Sequence, residues 1–356
     1  MSYLPYEPQQ QMLLPEALQD WLAEGHLAYF ISDTVDGLDL SAFHDRYSGG
    51  GSRNQPFHPV MMVKVLVYAY ATGVFSSRKI ARKLHEDVAL RVLGAGNFPA
   101  HRTVSDFRAF HLKELSELFV QVVRLAREMG LVKLGTIAVD GTKIKANASR
   151  HKAMSYGHML KAEAELKAQI AALLSRAKSA DDAEIMKRAG GGFDPSYNAQ
   201  TAVDETAHII VAAELTNCGS DANELPTLLH AVRVNLEQSP QQVLADTGYR
   251  SEAVFARLAD CATELVVSLG REGKQQLRFD PERSPHTALM AQKLRSEHGK
   301  AAYRKRKWIA EPPNGWVKNV LGFRQFSMRG LHRVTAEWKL VCMALNLRRM
   351  AALNVS

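Results

Sequence analysis

The sequence predicts an α/β protein in which an all-helical N-terminal part precedes a mixed sheet, and three observations predict it. Residues 1 to about 130 carry apolar side chains at helical spacing. Beyond that point the chain carries short apolar runs rich in β-branched residues that end on turns. Two of those runs, Thr136-Ile137-Ala138-Val139 and Val243-Leu244-Ala245, each deliver an aspartate to a glycine turn, as Asp140-Gly141 and Asp246-Thr247-Gly248. With 356 residues the chain has room for two domains.

The N-terminal elements come first. Pro15 to Ala28 is a helix candidate, Gly49-Gly50-Gly51 and Pro56 mark a loop, and Pro59 to Thr72 carries Val60, Val63, Val67 and Tyr70 at helical spacing. Ser76-Ser77 is placed to cap a helix from Arg78 to His85, with Ile80, Ala81 and Leu84 as its apolar stripe and Arg78, Lys79, Arg82 and Lys83 outside. After the Gly94 to Pro99 break comes a polar, basic helix start containing His101, Arg102 and Arg108. This pair of helices resembles a helix-turn-helix whose later helix, through Arg102 and Arg108, reads DNA. A charged face of a plain helical bundle explains the same pattern equally well. The expected domain is 1–130.

Residues 131–356 form the expected second domain. After the strand ending at Asp140, the span of about 150–190 reads as a helical insertion, with Leu160, Ala164, Ala171 and Leu174 along one face and Gly190-Gly191-Gly192 at its end. Asn198 to Asp204 and Ile209 to Leu215 alternate about a turn as a hairpin. Asp221 to Leu236 is a helix candidate capped by Ser220 or Asp221, which leads through Pro240 to the strand ending at Asp246. Ser251 to Ala259 is a further helix, Leu265-Val266-Val267 a further strand, and Trp338, Leu340, Val341, Met343, Leu345 and Leu347 the core face of a closing helix.

Composition excludes several classes. Hydrophobic residues make up 46% and charged residues 23%, a globular balance. The longest apolar stretch, Val60 to Phe75, is interrupted by Lys64 and too short to span a bilayer, and Met1 to Gln11 lacks the basic start and apolar core of a signal peptide. A cytoplasmic protein without membrane partners is expected. Its three cysteines, Cys218, Cys261 and Cys342, lack metal-ligand spacing and read as reduced thiols, which argues against zinc. A net charge of +8 points to a polyanionic partner.

Strand-end aspartates before glycine are also ordinary turn chemistry. Asp-Thr-Gly occurs as the aspartic protease triplet, but Asp140-Gly141-Thr142 fails to repeat it. Asp-Gly-Thr occurs in haloacid dehalogenase phosphatases, but their nucleophile position is here Ala138. If the two strands are neighbours, Asp140 and Asp246 come close together, and such a pair repels unless it shares a proton or holds a metal cation.

The order of strand, insertion, two strands, helix, strand, helix, strand is that of the ribonuclease H-like (retroviral integrase-like) fold. With Asp140, Asp246 and the downstream Tyr303, Arg306, Glu311 and Lys318, the chain resembles the DDE-type transposases of bacterial insertion sequences, in the subgroup with a tyrosine-arginine-glutamate-lysine signature. The resemblance covers nearly the whole chain, because those proteins also begin with a helical domain. It departs at one point: four residues separate Arg306 from Glu311, where a common form has three.

The resemblance implies an Asp140, Asp246 and Glu311 site that binds two Mg²⁺ ions, with Mn²⁺ expected to substitute. It implies double-stranded DNA as partner, both terminal inverted repeats and target, bound by a homodimer or larger assembly, with strand cleavage followed by strand transfer. Phosphodiester chemistry is suited to two such ions about 3.5–4 Å apart held by oxygen ligands. A hydrolytic nuclease of the same fold and a non-catalytic DNA-binding regulator are the alternatives.

For the third acid, Glu282 lies in a proline-bounded loop and Glu297 precedes Gly299, whereas Glu311 is followed by Pro312-Pro313, which fit the first turn of a helix. Lys318, seven residues on, returns to nearly the same helical face and is placed to hold a DNA phosphate. The run Arg304-Lys305-Arg306-Lys307 immediately precedes that helix and reads as DNA contact. Asp221 and Glu224 are further acids that helix capping explains.

Overall fold

The computed structural model describes residues 17–47, 55–147, 183–187, 193–270 and 279–354. The N-terminal half holds α1 (Leu27–Asp36), α2 (Ser41–Asp45), α3 (Pro59–Ala71), α4 (Ser77–Glu86), α5 (Val88–Leu93), α6 (His101–Phe110) and α7 (Leu112–Glu128). Pro59 starts α3 at a position where its missing N–H is harmless. The helix expected over Pro15 to Ala28 is instead a 3₁₀ turn at Leu18–Trp21 followed by α1, because Gly25, at φ +74°, breaks the path between them.

The sheet is built around β1 (Thr136–Lys145). On one side β1 pairs antiparallel with β3 (Phe193–Asp204), which pairs antiparallel with β4 (Ile210–Thr216) and, near its start, with β2 (Glu184–Lys187). On the other side β1 runs parallel to β5 (Gln242–Ala245), and β5 parallel to β6 (Glu264–Val267). Ile137, Ala138, Val139, Val243, Leu244 and Ala245 are fully buried, as central parallel strands covered on both faces must be. The expected hairpin is β3–β4. The expected insertion at about 150–190 falls mostly outside the described residues, and within that span Glu184–Lys187 is a strand.

Helices α8 (Leu225–Leu236), α9 (Glu252–Arg257), α10 (Pro285–Arg295), α11 (Glu297–Arg304), α12 (Arg306–Gly315) and α13 (Leu331–Asn354) complete the fold. α13 is buried on nearly every side, with Trp338, Val341, Ala344 and Leu347 inaccessible, since it packs against α3, α7 and β4 at once. One continuous core therefore joins the N-terminal helices to the sheet. Residue 130 marks a change of secondary structure without a break in packing. Arg124 and Arg127 of α7 bond the carbonyls of Asn235 and Leu236 at the end of α8, at 2.8 and 2.6 Å, across the same boundary.

A fully buried carboxylate ties the halves as well. Glu337 of α13, fully buried, accepts hydrogen bonds from the backbone N–H of Ser327 (2.9 Å) and Met328 (3.1 Å) and from the Tyr70 hydroxyl of α3 (3.0 Å). Arg108 of α6 donates to Tyr70 Oη at 2.6 Å and lies 3.9 Å from Glu337.

Candidate active site

The parallel register of β1 and β5 pairs Thr136 with Gln242 and Ala138 with Leu244. Asp140 and Asp246 each lie two residues beyond the last of these pairs, so they stand level with each other where the β1–β5 pairing ends. Asp246 turns at once into a 3₁₀ turn, Thr247–Tyr249, whose Gly248 N–H it accepts at 2.8 Å. β1 runs on past Asp140 in its pairing with β3, so Asp140 stays within a strand while Asp246 ends one.

α12 packs across β1 and supplies the neighbours of Asp140. Asn314 Nδ2 donates to Asp140 Oδ2 at 2.8 Å, and Arg306 Nη1 lies 3.8 Å from Asp140 Oδ1. Burial raises the Asp140 carboxyl to about 6, with Asp246 and Asp221 adding to the rise and Arg306 and Asn314 opposing it. Arg306 is only 8% exposed, and its Nε and Nη1 have no hydrogen-bond acceptor. Read in sequence as one member of a surface basic run, it is instead a buried cation beside an acid; Arg304, Lys305 and Lys307 are the exposed members.

Glu311 is exposed on the same helix. It lies in the middle of α12 and not at a helix start, because Pro312 and Pro313 fall in the last turn, not the first. The structure compensates for the missing proline N–H. The Trp308 carbonyl that Pro312 cannot reach is bonded by His208 Nε2 at 2.9 Å, and the helix opens into a π turn at Trp316–Val320. Lys318 lies in that turn, where burial lowers its pKa while the charge of Asp140 opposes the shift. Tyr303 is half-buried against the core. Among the described residues, no three or more His, Cys, Asp or Glu side chains are arranged to hold a metal ion.

Two residues that the sequence reading set aside or left unnamed belong to this cleft. Asn314 carried no motif. Asp221 had been explained as a cap, yet the N-cap of α8 is Glu224, and Asp221 Oδ1 accepts from Asn198 and Gln200 of β3 at 2.6 Å each, 3.6 Å from Lys143 Nζ. The signal was present in β3, where buried Asn198 and Gln200 alternate with apolar Tyr197 and Ala199.

The N-terminal candidates separate. Arg102 is exposed at the start of α6, on the same helical pair as exposed Arg78, Lys79 and Arg82 of α4, which packs against α6. Arg108 is not on that surface. It is 3% exposed and bonds the Phe75 carbonyl and Ser327 Oγ as well as Tyr70, so the expectation that it touches DNA is corrected: residue 108 faces inward, one position after buried Phe107.

Comparison with known proteins yields two family matches. A model described as Transposase DDE domain matches residues 133–347, and one described as Transposase domain (DUF772) matches residues 16–109. No curated protein matches the chain. Two solved structures share limited similarity with it: the "Crystal structure of the Mos1 Strand Transfer Complex", at 12% identity over 80% of this chain and 86% of that one with a TM-score of 0.20, and the "Mos1 transposase paired-end complex with left transposon end", at 13% identity, the same coverage and the same score. That overlap is too low to establish a common fold. No helix of the described residues is long and apolar enough to cross a membrane.

Proposed function

The chain belongs to the family of transposase DDE domains, and from that premise we propose that it binds the ends of an insertion sequence and catalyses metal-dependent DNA strand cleavage and strand transfer. One observation carries the reading: Asp140 and Asp246 stand at the same level, where the pairing of the adjacent parallel strands β1 and β5 ends. The strand order, β4–β3–β1–β5–β6 with β1 and β5 parallel, supports a ribonuclease H-like core under this pair.

The donor chemistry fits a hard divalent cation. Asp140 and Asp246 offer carboxylate oxygens, and Asp140 is buried beside like charges that a cation would relieve. With Glu311 turned inward from its exposed position on α12, they would hold the two Mg²⁺ ions, or Mn²⁺ in their place. Bound there, the ions supply an activated oxygen nucleophile and stabilise the leaving oxygen.

The chain's own residues do the rest. Asn314 fixes one oxygen of Asp140, leaving the other toward Arg306. Lys318 and the exposed Arg304, Lys305 and Lys307 hold phosphates of the DNA backbone along the helix that carries Glu311. Arg102 and the basic face of α4 hold a duplex at the other half of the molecule, and a dimer or larger assembly forms on DNA.

The test is incubation of the full chain with a plasmid carrying the inverted repeats that flank its gene, in Mg²⁺. Joined products at new sites are expected. Cleaved ends that never join would point to a hydrolytic nuclease, and binding without cleavage to a regulator.

A further inference from the structure

We infer that Asp221 is a further carboxylate of the Asp140–Asp246 cleft and takes part in holding its cation together with phosphate oxygens of the DNA, since the described carboxylates do not form a metal site by themselves; the role rests on the metal-dependent reading above. Contacts from two strands place it there. Its Oδ1 is fixed by Asn198 and Gln200 of β3 and faces Lys143 of β1. Gln200 is in turn bonded by the hydroxyl of Tyr249, which closes the turn that begins at Asp246. The side chain thus touches a network that starts at β1, crosses β3 and ends beside β5.

The glycines of the two strand-end motifs show how close Asp221 comes. A Cβ built on Gly141, the residue after Asp140, would lie 2.6 Å from Asp221 Oδ1 and 2.6 Å from Gln200 Nε2. A Cβ on Gly248 would lie 2.9 Å from Asp221 Oδ2 and 3.0 Å from Asp246 Oδ1. Neither glycine has a positive φ. Their lack of a side chain is therefore explained by space: both leave room for the Asp221 carboxylate, wedged between the backbone positions that follow the two aspartates. Oδ1 is committed to β3, which leaves Oδ2 on the side of Gly248 and Asp246.

Arg306 gives an independent sign that this cleft is built for a charged ligand. It is more than nine-tenths buried, aimed at Asp140 from the opposite element, and two of its nitrogens have no acceptor. Asp140 at 3.8 Å balances its charge without a hydrogen bond, which leaves Nε and Nη1 free to donate to an anion such as a phosphate, and a phosphate beside these carboxylates would be held through a cation.

Mn²⁺ binding to the full chain without DNA, followed by electron paramagnetic resonance, tests the inference. Asp221→Asn keeps one oxygen for Asn198 and Gln200, so the fold should survive, with an unchanged thermal midpoint. It should weaken Mn²⁺ binding at least about tenfold, as Asp140→Asn and Asp246→Asn should. Asp221→Glu should restore part of the affinity, and Glu297→Gln, which removes an exposed charge on α11, should change nothing. Equal Mn²⁺ affinity in wild type and Asp221→Asn would overturn the role. If the wild type still cleaves DNA in that case, only this inference fails; if it neither cleaves nor binds Mn²⁺, the metal-dependent function fails with it.

Discussion

Asn314 and Asp140, 174 residues apart in sequence, are joined by a 2.8 Å hydrogen bond that fastens α12 to the middle of β1. The bond ties the strand that carries Asp140 to the helix that carries Glu311, and on the proposed mechanism it helps to position that helix. Asn314→Leu should leave the protein folded, at a cost of about 1–2 kcal/mol for the lost bond. It should lower the single-turnover cleavage rate at least about tenfold. Cleavage at the wild-type rate would show that α12 is positioned by other contacts.

The Glu337 network predicts a stability effect separate from DNA binding. Glu337→Ala strands Arg108 in the core and removes the acceptor of the Ser327 and Met328 N–H groups, and should cost about 3–5 kcal/mol in urea unfolding. Arg108→Met should likewise lower stability. Neither change should alter the salt dependence of DNA binding, and a reduced salt slope for Arg108→Met would return that residue to the interface.

Arg102 predicts the converse. Arg102→Ala should leave unfolding unchanged while weakening duplex binding and reducing the slope of log affinity against log salt by about 1. Unchanged binding would assign α6 to the structural bundle alone.

His111 gives the fold a pH dependence. It is fully buried among Phe43, Phe107 and Phe110 and bonded to the Tyr47 hydroxyl, and burial lowers its pKa from 6.5 to about 4. Between those values the unfolded chain binds a proton that the folded chain does not, so this contribution is present above about pH 6.5 and is lost as pH falls toward 4. Relative to His111→Gln, the wild type should lose on the order of 1–2 kcal/mol between pH 7 and pH 4.5. Parallel stability curves for the two proteins would contradict it.

Much of the sheet could be read from sequence, because its central strands are unbroken apolar runs and its acids sit where those runs end. Asp140 and Asp246 were visible for that reason. The inward turn of Arg108 was not, since an arginine inside a basic helix start looks like its neighbours, and only the buried Glu337, contributed by α13, reveals its partner. The proline pair misled in a physical way: Pro312 and Pro313 suit a first turn, but His208 and the π turn make a last turn tolerable. Asp221 was hidden because a carboxylate before a helix is normally a cap, and its real partners lie on β3.

Whether Asp140 and Asp246 work as one catalytic pair is decided by paired assays on Asp140→Asn and Asp246→Asn. Cleavage of an end-containing duplex in Mg²⁺ and gel retardation of the same duplex are measured side by side. Each variant should lose cleavage to background while binding the duplex as the wild type does. Cleavage retained by either variant would contradict it.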